Sequence, residues 1–123
     1  MSLGYYPSQL GYGGFPKTVS LSVNEVVCHA IPDSTELMDG DIVSVDLVMY
    51  VRGWHGDTCR TFCCGNVDEA GKKLIATTEY AMNEAIKICK PGVEYKEIGR
   101  VIQEIANMNR YNVYEIGSCV YYL

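Results

Sequence analysis

The stretch from Gly40 to Phe62, GDIVSVDLVMYVRGWHGDTCRTF, limits the fold more than any other part of this chain. It reads as two long strands, and Arg52-Gly53 is the only turn signal inside it, so a two-residue loop closes a hairpin there. That loop pairs Val51 with Trp54, Val48 with Asp57 and Asp46 with Cys59. Side chains two apart on a strand share a face, so Asp46, Val48 and Tyr50 point the same way as Cys59, Asp57 and His55. Asp46 and Asp57 then become diagonal neighbours, about 7 Å apart at the backbone. An odd-length loop would send the two carboxylates to opposite faces.

Aspartate is depleted from strands, and a buried, unpaired carboxylate is costly. Two held close together repel unless something neutralises them, and no Lys or Arg lies on this face in the proposed register. A divalent cation such as Mn, Mg, Fe, Co or Zn would resolve the conflict, because carboxylates are hard oxygen ligands. The plainer alternative is that Asp46 caps a loop or faces solvent at a sheet edge. The hairpin alone leaves both open.

The remaining sequence narrows the setting. A chain of 123 residues suits one hydrophobic core, and 48% hydrophobic against 20% charged residues marks it as globular. A net charge of −5 without a basic stripe argues against a nucleic-acid partner. No apolar run approaches membrane-spanning length, and MSLGYYPSQLGYGG does not read as a signal peptide, so no membrane partner is expected. The six cysteines form no CxxC pair and are expected to be buried, reduced thiols of a cytoplasmic protein. A zinc site from Cys28, His29 and Cys59 matches no structural zinc spacing.

Along the chain, residues 1–16 read as an irregular segment presenting Tyr12 and Phe15 around glycines, and 18–27 as a strand ended by the Pro32-Asp33 turn. A helix starting at 66–68 has an apolar stripe of Leu74, Thr77 or Thr78, Ala81, Ala85, Ile86 and Ile88 or Cys89, and stops at Lys90-Pro91-Gly92. A second helix spans about 95–108 with Ile98, Val101, Ile102, Ile105 and Ala106 on one face. YNVYEIG is a last strand. Strands followed by helices, without βαβ alternation, give an α+β class: an antiparallel sheet with two helices on one face and the aspartates on the open one.

SVNEVVCHAIPD, the hairpin and CGNVDEAGKKL together resemble type I methionine aminopeptidase, in order from about Tyr6 to Tyr114. The resemblance implies the first half of a pita-bread fold, in a single partial domain over 1–123. It further implies a metal-dependent hydrolase that removes N-terminal methionine from nascent chains with two divalent metal ions, Co, Mn, Fe or Zn. By that resemblance Asp46 and Asp57 are metal ligands. His29 is the catalytic histidine that contacts the scissile amide and so also binds substrate. Tyr12 and Phe15 line the methionine pocket, with Ser20 where the family commonly has cysteine.

The departures are equally specific. CHAIPD carries Ala30 where the family has glycine, an expected restriction on the backbone beside His29. The tail, 115–123, diverges, and Val120 stands about where the family's next ligand, a histidine, belongs. The later ligands are not present. The expectation is therefore a truncated chain, inactive alone, whose two carboxylates do not hold two metals tightly. A non-catalytic binding module of the same fold is the alternative. The open sheet face, expected to be apolar, would be covered in a homodimer.

Overall fold

The computed structural model describes residues 4–116 and 119–122, with side chains as far as Tyr114. They form two compact units, Met1–Val67 and Asp68–Leu123.

The first unit is built on the hairpin. Strands β1 (Tyr6–Pro7), β2 (Ser20–Val23), β3 (Ile42–Val51) and β4 (Trp54–Cys63) form one antiparallel sheet. The β3–β4 register runs from Val51↔Trp54 to Ile42↔Cys63, with Val48↔Asp57 and Asp46↔Cys59 as expected. Arg52 at φ 50° and Gly53 at φ 95° form the turn, both in the left-handed region that primed two-residue turns require. Because β4 pairs with β3 along all ten of its residues, β1 and β2 share the other edge of β3.

The base of the hairpin is fastened too. Gly40 N–H donates to the Cys64 carbonyl at 2.8 Å, and Cys64 N–H to the Asp41 carbonyl at 2.8 Å. The Asp39 carboxylate accepts from Asn66 N–H, while that of Asp41 accepts from Met38 N–H and the Asn24 side chain, each at 2.8 Å. Asn24 also accepts from Ile42 N–H at 3.1 Å. This explains why β2 is shorter than the strand expected over 18–27: Asn24 turns left-handed, at φ 51°, to reach Asp41 and Ile42. The irregular N-terminal segment contains two short regular pieces, β1 and a 3-10 turn at Tyr12–Gly14.

In the second unit α1 (Glu69–Ile88) packs on α2 (Lys96–Met108). Asp68 caps α1 by accepting from Gly71 N–H at 2.7 Å. The buried residues are Ala81 and Ala85 on α1 and Ile105 and Ala106 on α2. Ile86 departs from the expected stripe and is 59% exposed, since it falls off the 81–85–88 line. β5 (Val113–Ile116) pairs antiparallel with β6 (Cys119–Tyr122), with Glu115 and Val120 as backbone register partners.

The cysteines were expected to be buried, and the five described ones are free but not buried: Cys59, Cys63 and Cys89 are exposed, Cys28 and Cys64 half-buried. The reason is position, because β4 is an edge strand and Cys89 lies just past the end of α1. His29, at φ 55°, takes the left-handed conformation, and Ala30 is not among the positive-φ residues.

Two glycines test the two ends of the hairpin. A Cβ on Gly53 meets nothing within 4 Å, so Gly53→Ala should cost only the left-handed penalty, about 1–2 kcal/mol. A Cβ on Gly65, at φ 62°, would overlap the Asp39 carboxylate oxygen that holds Asn66. Gly65→Ala should therefore lower the urea midpoint more than Gly53→Ala. The reverse order would show that the base clamp does not hold the register.

Candidate functional site

Rows of side chains across the strands define the aspartate face. Ser20 on β2, Asp46 on β3 and Cys59 on β4 form one row. Ser22, Ser44 and Thr61 form the next, where the Ser44 and Thr61 hydroxyls bond at 2.8 Å and Ser22 Oγ accepts from Ala30 N–H at 3.4 Å. On the other side Val48 stands opposite Asp57, and beyond them Tyr6, Tyr50 and His55 form an aromatic row. This face is therefore mostly polar. The apolar alternates (Val43, Val45, Leu47 and Met49) lie on the opposite face, which corrects the expectation of an apolar open surface.

His55 closes one end of the face. Its ring packs against Tyr50 at 5.0 Å between centroids and its Nδ1 bonds Ser8 Oγ at 2.8 Å. Ser8 N–H donates to the Val48 carbonyl at 2.8 Å, which places Ser8 on the far side of β3 from His55. The histidine side chain thus reaches across β3, and with the Ser44–Thr61 bond it brackets the aspartates.

Electrostatics single out Asp46. Burial, then the neighbouring Asp57 charge, pushes its carboxyl above the ordinary 3.8, while nearby His29 pulls it down. Its Oδ1 is buried and has no hydrogen-bond partner. The Cys59 thiol is raised by burial, then by Asp46 and Asp57, although the residue lies on the open edge strand. The structure thus brings together Asp46, Asp57 and the charge of His29, with Ser20 and Cys59 in the same row as Asp46. The proposed pocket aromatics are placed differently: Tyr12 is 82% exposed on its 3-10 turn and Phe15 is half-buried. A cleft of about 340 Å³ in the helical unit, between Lys87, Val93, Glu97 and Arg100, contains none of the site residues expected from the sequence.

An orphaned, buried carboxylate oxygen beside a second carboxylate fits part of a hard cation's coordination shell. Among the described residues no group of three or more His, Cys, Asp or Glu is arranged to hold a metal ion, so the pair supplies part of a shell and not the whole.

The raised Asp46 pKa has a definite sign. Between 3.8 and the raised value the folded chain binds more protons than the unfolded one, so this group lowers stability as pH rises through that window. With chelator present, Asp46→Asn should leave stability nearly unchanged below pH 3.8 and raise it at neutral pH, read as urea midpoints across pH. A loss of more than about 2 kcal/mol at neutral pH would mean that Asp46 has a structural partner.

Comparisons with known proteins give the family and the fold. The sequence profile described as metallopeptidase family M24 matches residues 3–121. The chain is 58% identical over 110 residues to methionine aminopeptidase 1D, chloroplastic/mitochondrial, of Arabidopsis thaliana, covering 89% of this chain and 31% of that protein. It is 52% identical over 108 residues to human methionine aminopeptidase 1D, mitochondrial, covering 88% and 32%. The crystal structure of methionine aminopeptidase from Rickettsia prowazekii superposes with a TM-score of 0.87 at 41% identity, over 91% of this chain and 45% of that one. This chain thus spans about a third of the length of its curated relatives, and its fold is half of the pita-bread fold. With the profile matching nearly end to end, the chain belongs to metallopeptidase family M24.

Proposed function

We propose that this chain provides the first two metal-binding carboxylates and part of the substrate side of a methionine aminopeptidase, which removes N-terminal methionine from nascent polypeptides. The observation that carries the reading is the Asp46–Asp57 pair: two acidic side chains fixed on one face by a ten-residue register, one with an orphaned buried oxygen. High identity to proteins named methionine aminopeptidase supports it. When bound, a pair of divalent ions drawn from Co, Mn, Fe or Zn supplies Lewis acidity toward the peptide carbonyl and lowers the pKa of bound water.

The roles of the chain's own residues follow from their positions. Asp46 and Asp57 would donate oxygens, and a cation beside them would offset the burial and the Asp57 charge that raise the Asp46 carboxyl. His29, near enough to Asp46 for its charge to be felt there, would donate a hydrogen bond to the scissile amide. Tyr12, exposed on its turn, and Phe15 would close on the methionine side chain, with Ser20 lining the same pocket. The compartment expected from the sequence is cytoplasmic, whereas the names of the relatives place those proteins in chloroplasts or mitochondria. An import assay with the tagged chain separates the two.

A non-catalytic binding module is favoured by one observation, the lack of a three-ligand metal group among the described residues. Release of methionine from a Met-Gly-type peptide distinguishes the readings for this chain. With Mn or Co added, the homogeneous 123-residue protein is expected to release none. Metal-dependent turnover abolished by Asp57→Asn would show that the chain completes its site unaided.

Self-association remains a proposal with a changed physical basis. The aspartate face is polar, so the drive would come from β4, which among the described residues pairs only with β3 and leaves a ten-residue edge open. Light scattering at micromolar concentration should then report a homodimer, and a monomer would end the idea.

A further inference from the structure

Tyr12 and Phe15 stand on an arm, residues 6–15, whose shape comes from local hydrogen bonds. Leu10 N–H donates to the Pro7 carbonyl at 3.1 Å, Tyr12 N–H to that of Gln9 at 3.1 Å and Phe15 N–H to that of Tyr12 at 2.9 Å. Gly11 N–H donates to the Phe15 carbonyl at 2.8 Å, and the Tyr6 hydroxyl to the Leu10 carbonyl at 2.9 Å. All of these bonds lie within the arm, so its place on the sheet is set at its near end. There β1 pairs with β3 through Tyr6↔Tyr50 and Pro7↔Met49, and Ser8 N–H donates to the Val48 carbonyl at 2.8 Å. A ladder this short holds little by itself. The Ser8 hydroxyl adds a tie beyond it, bonding His55 Nδ1 at 2.8 Å across the width of β3. His55 is itself held, opposite Tyr50 in the β3–β4 register and with its ring against that of Tyr50. It stands two residues before Asp57 on the same face of β4.

From this we infer that His55 is a positioning residue for the arm. By bonding Ser8 it ties the segment that bears Tyr12 and Phe15 to the strand that bears Asp57. One strand then sets both, and the Ser8–His55 pair fixes where the two aromatic side chains stand relative to the aspartates. The inference rests on the reading of Tyr12 and Phe15 as methionine-pocket residues.

The test is amide hydrogen exchange, read by NMR on the whole chain, for wild type, Ser8→Ala, Ser8→Thr, His55→Phe and the Ser8→Ala/His55→Phe double variant. Ser8→Ala and His55→Phe should each speed exchange at residue 8, Leu10 and Phe15 by about threefold to tenfold, the scale of one net hydrogen bond. Gly40 and Cys64, bonded at the base of the hairpin, should exchange as in wild type. The double variant should match the single ones, because both lose the same bond, and Ser8→Thr, which keeps the hydroxyl, should retain protection. Millimolar L-methionine should shift the Tyr12 and Phe15 ring resonances of wild type, and Ser8→Ala should weaken that response. Arm amides within about twofold of wild type in both single variants would overturn the inference. So would equal acceleration at Gly40 and Cys64, which marks a residue that only supports the fold, or an additive double variant, which marks two separate contributions. A wild type whose Tyr12 and Phe15 rings do not respond to methionine would instead overturn the pocket reading, and the positioning role with it.

Discussion

The repulsion between Asp46 and Asp57 is the constraint around which the first unit is arranged. Two like charges on one face of a sheet are tolerated only if the strands cannot slip, since a shift of one residue would place them on opposite faces. The fold prevents slippage at both ends. At the tip, Arg52 and Gly53 adopt the left-handed pair of angles of a two-residue turn. At the base, the side chains of Asp39, Asp41 and Asn24 bind the entry of β3 and the exit of β4 with four hydrogen bonds, from Asn66, Met38 and Ile42 N–H and from Asn24 to Asp41. The cost of the arrangement remains visible at Asp46, whose carboxyl is raised and whose Oδ1 is orphaned. A raised carboxyl and an orphaned oxygen at a register this firmly held support the proposed role of the pair in cation binding.

The surroundings suit that role. The alternation of β3 and β4 puts Ser20, Ser22, Ser44, Cys59 and Thr61 around the aspartates and sends Val43, Val45, Leu47 and Met49 to the other face. The His55–Ser8 and Ser44–Thr61 bonds close the face at either end. His29 is held by a left-handed turn in a loop whose next residue, Ala30, bonds Leu21 and Ser22. The histidine's influence on Asp46 therefore arises from β2 pairing as much as from the CHAIPD segment itself.

Much of this could be read from the residues. The Arg52-Gly53 turn fixed the parity of the hairpin, and parity alone gave the pairing of Val48 with Asp57 and of Asp46 with Cys59. Helical spacing gave α1 and α2 to within a few residues, because Asp68 and Pro91-Gly92 are strong boundary signals. Other features depend on tertiary partners. Asn24 ends β2 through bonds to residues 17 and 18 positions away, which no local pattern reveals. The two-residue β1 exists only because β3 offers an edge. The exposure of Cys59 and Cys63 follows from β4 being an edge strand, which strand propensity cannot show. Ser20 was legible as a pocket residue by resemblance, but its unpartnered hydroxyl opposite Asp46 emerges only once β2 is placed in register.

The most direct test of the central claim uses the paramagnetism of Mn²⁺. Trace Mn²⁺ added to the isotopically labelled chain should broaden the amide resonances of Asp46, Asp57, Cys59 and their row neighbours first. Asp57→Asn should abolish that pattern. Broadening centred instead on the acidic residues of α1 and α2, or none at these rows, would contradict the assignment of the Asp46–Asp57 pair as the cation site.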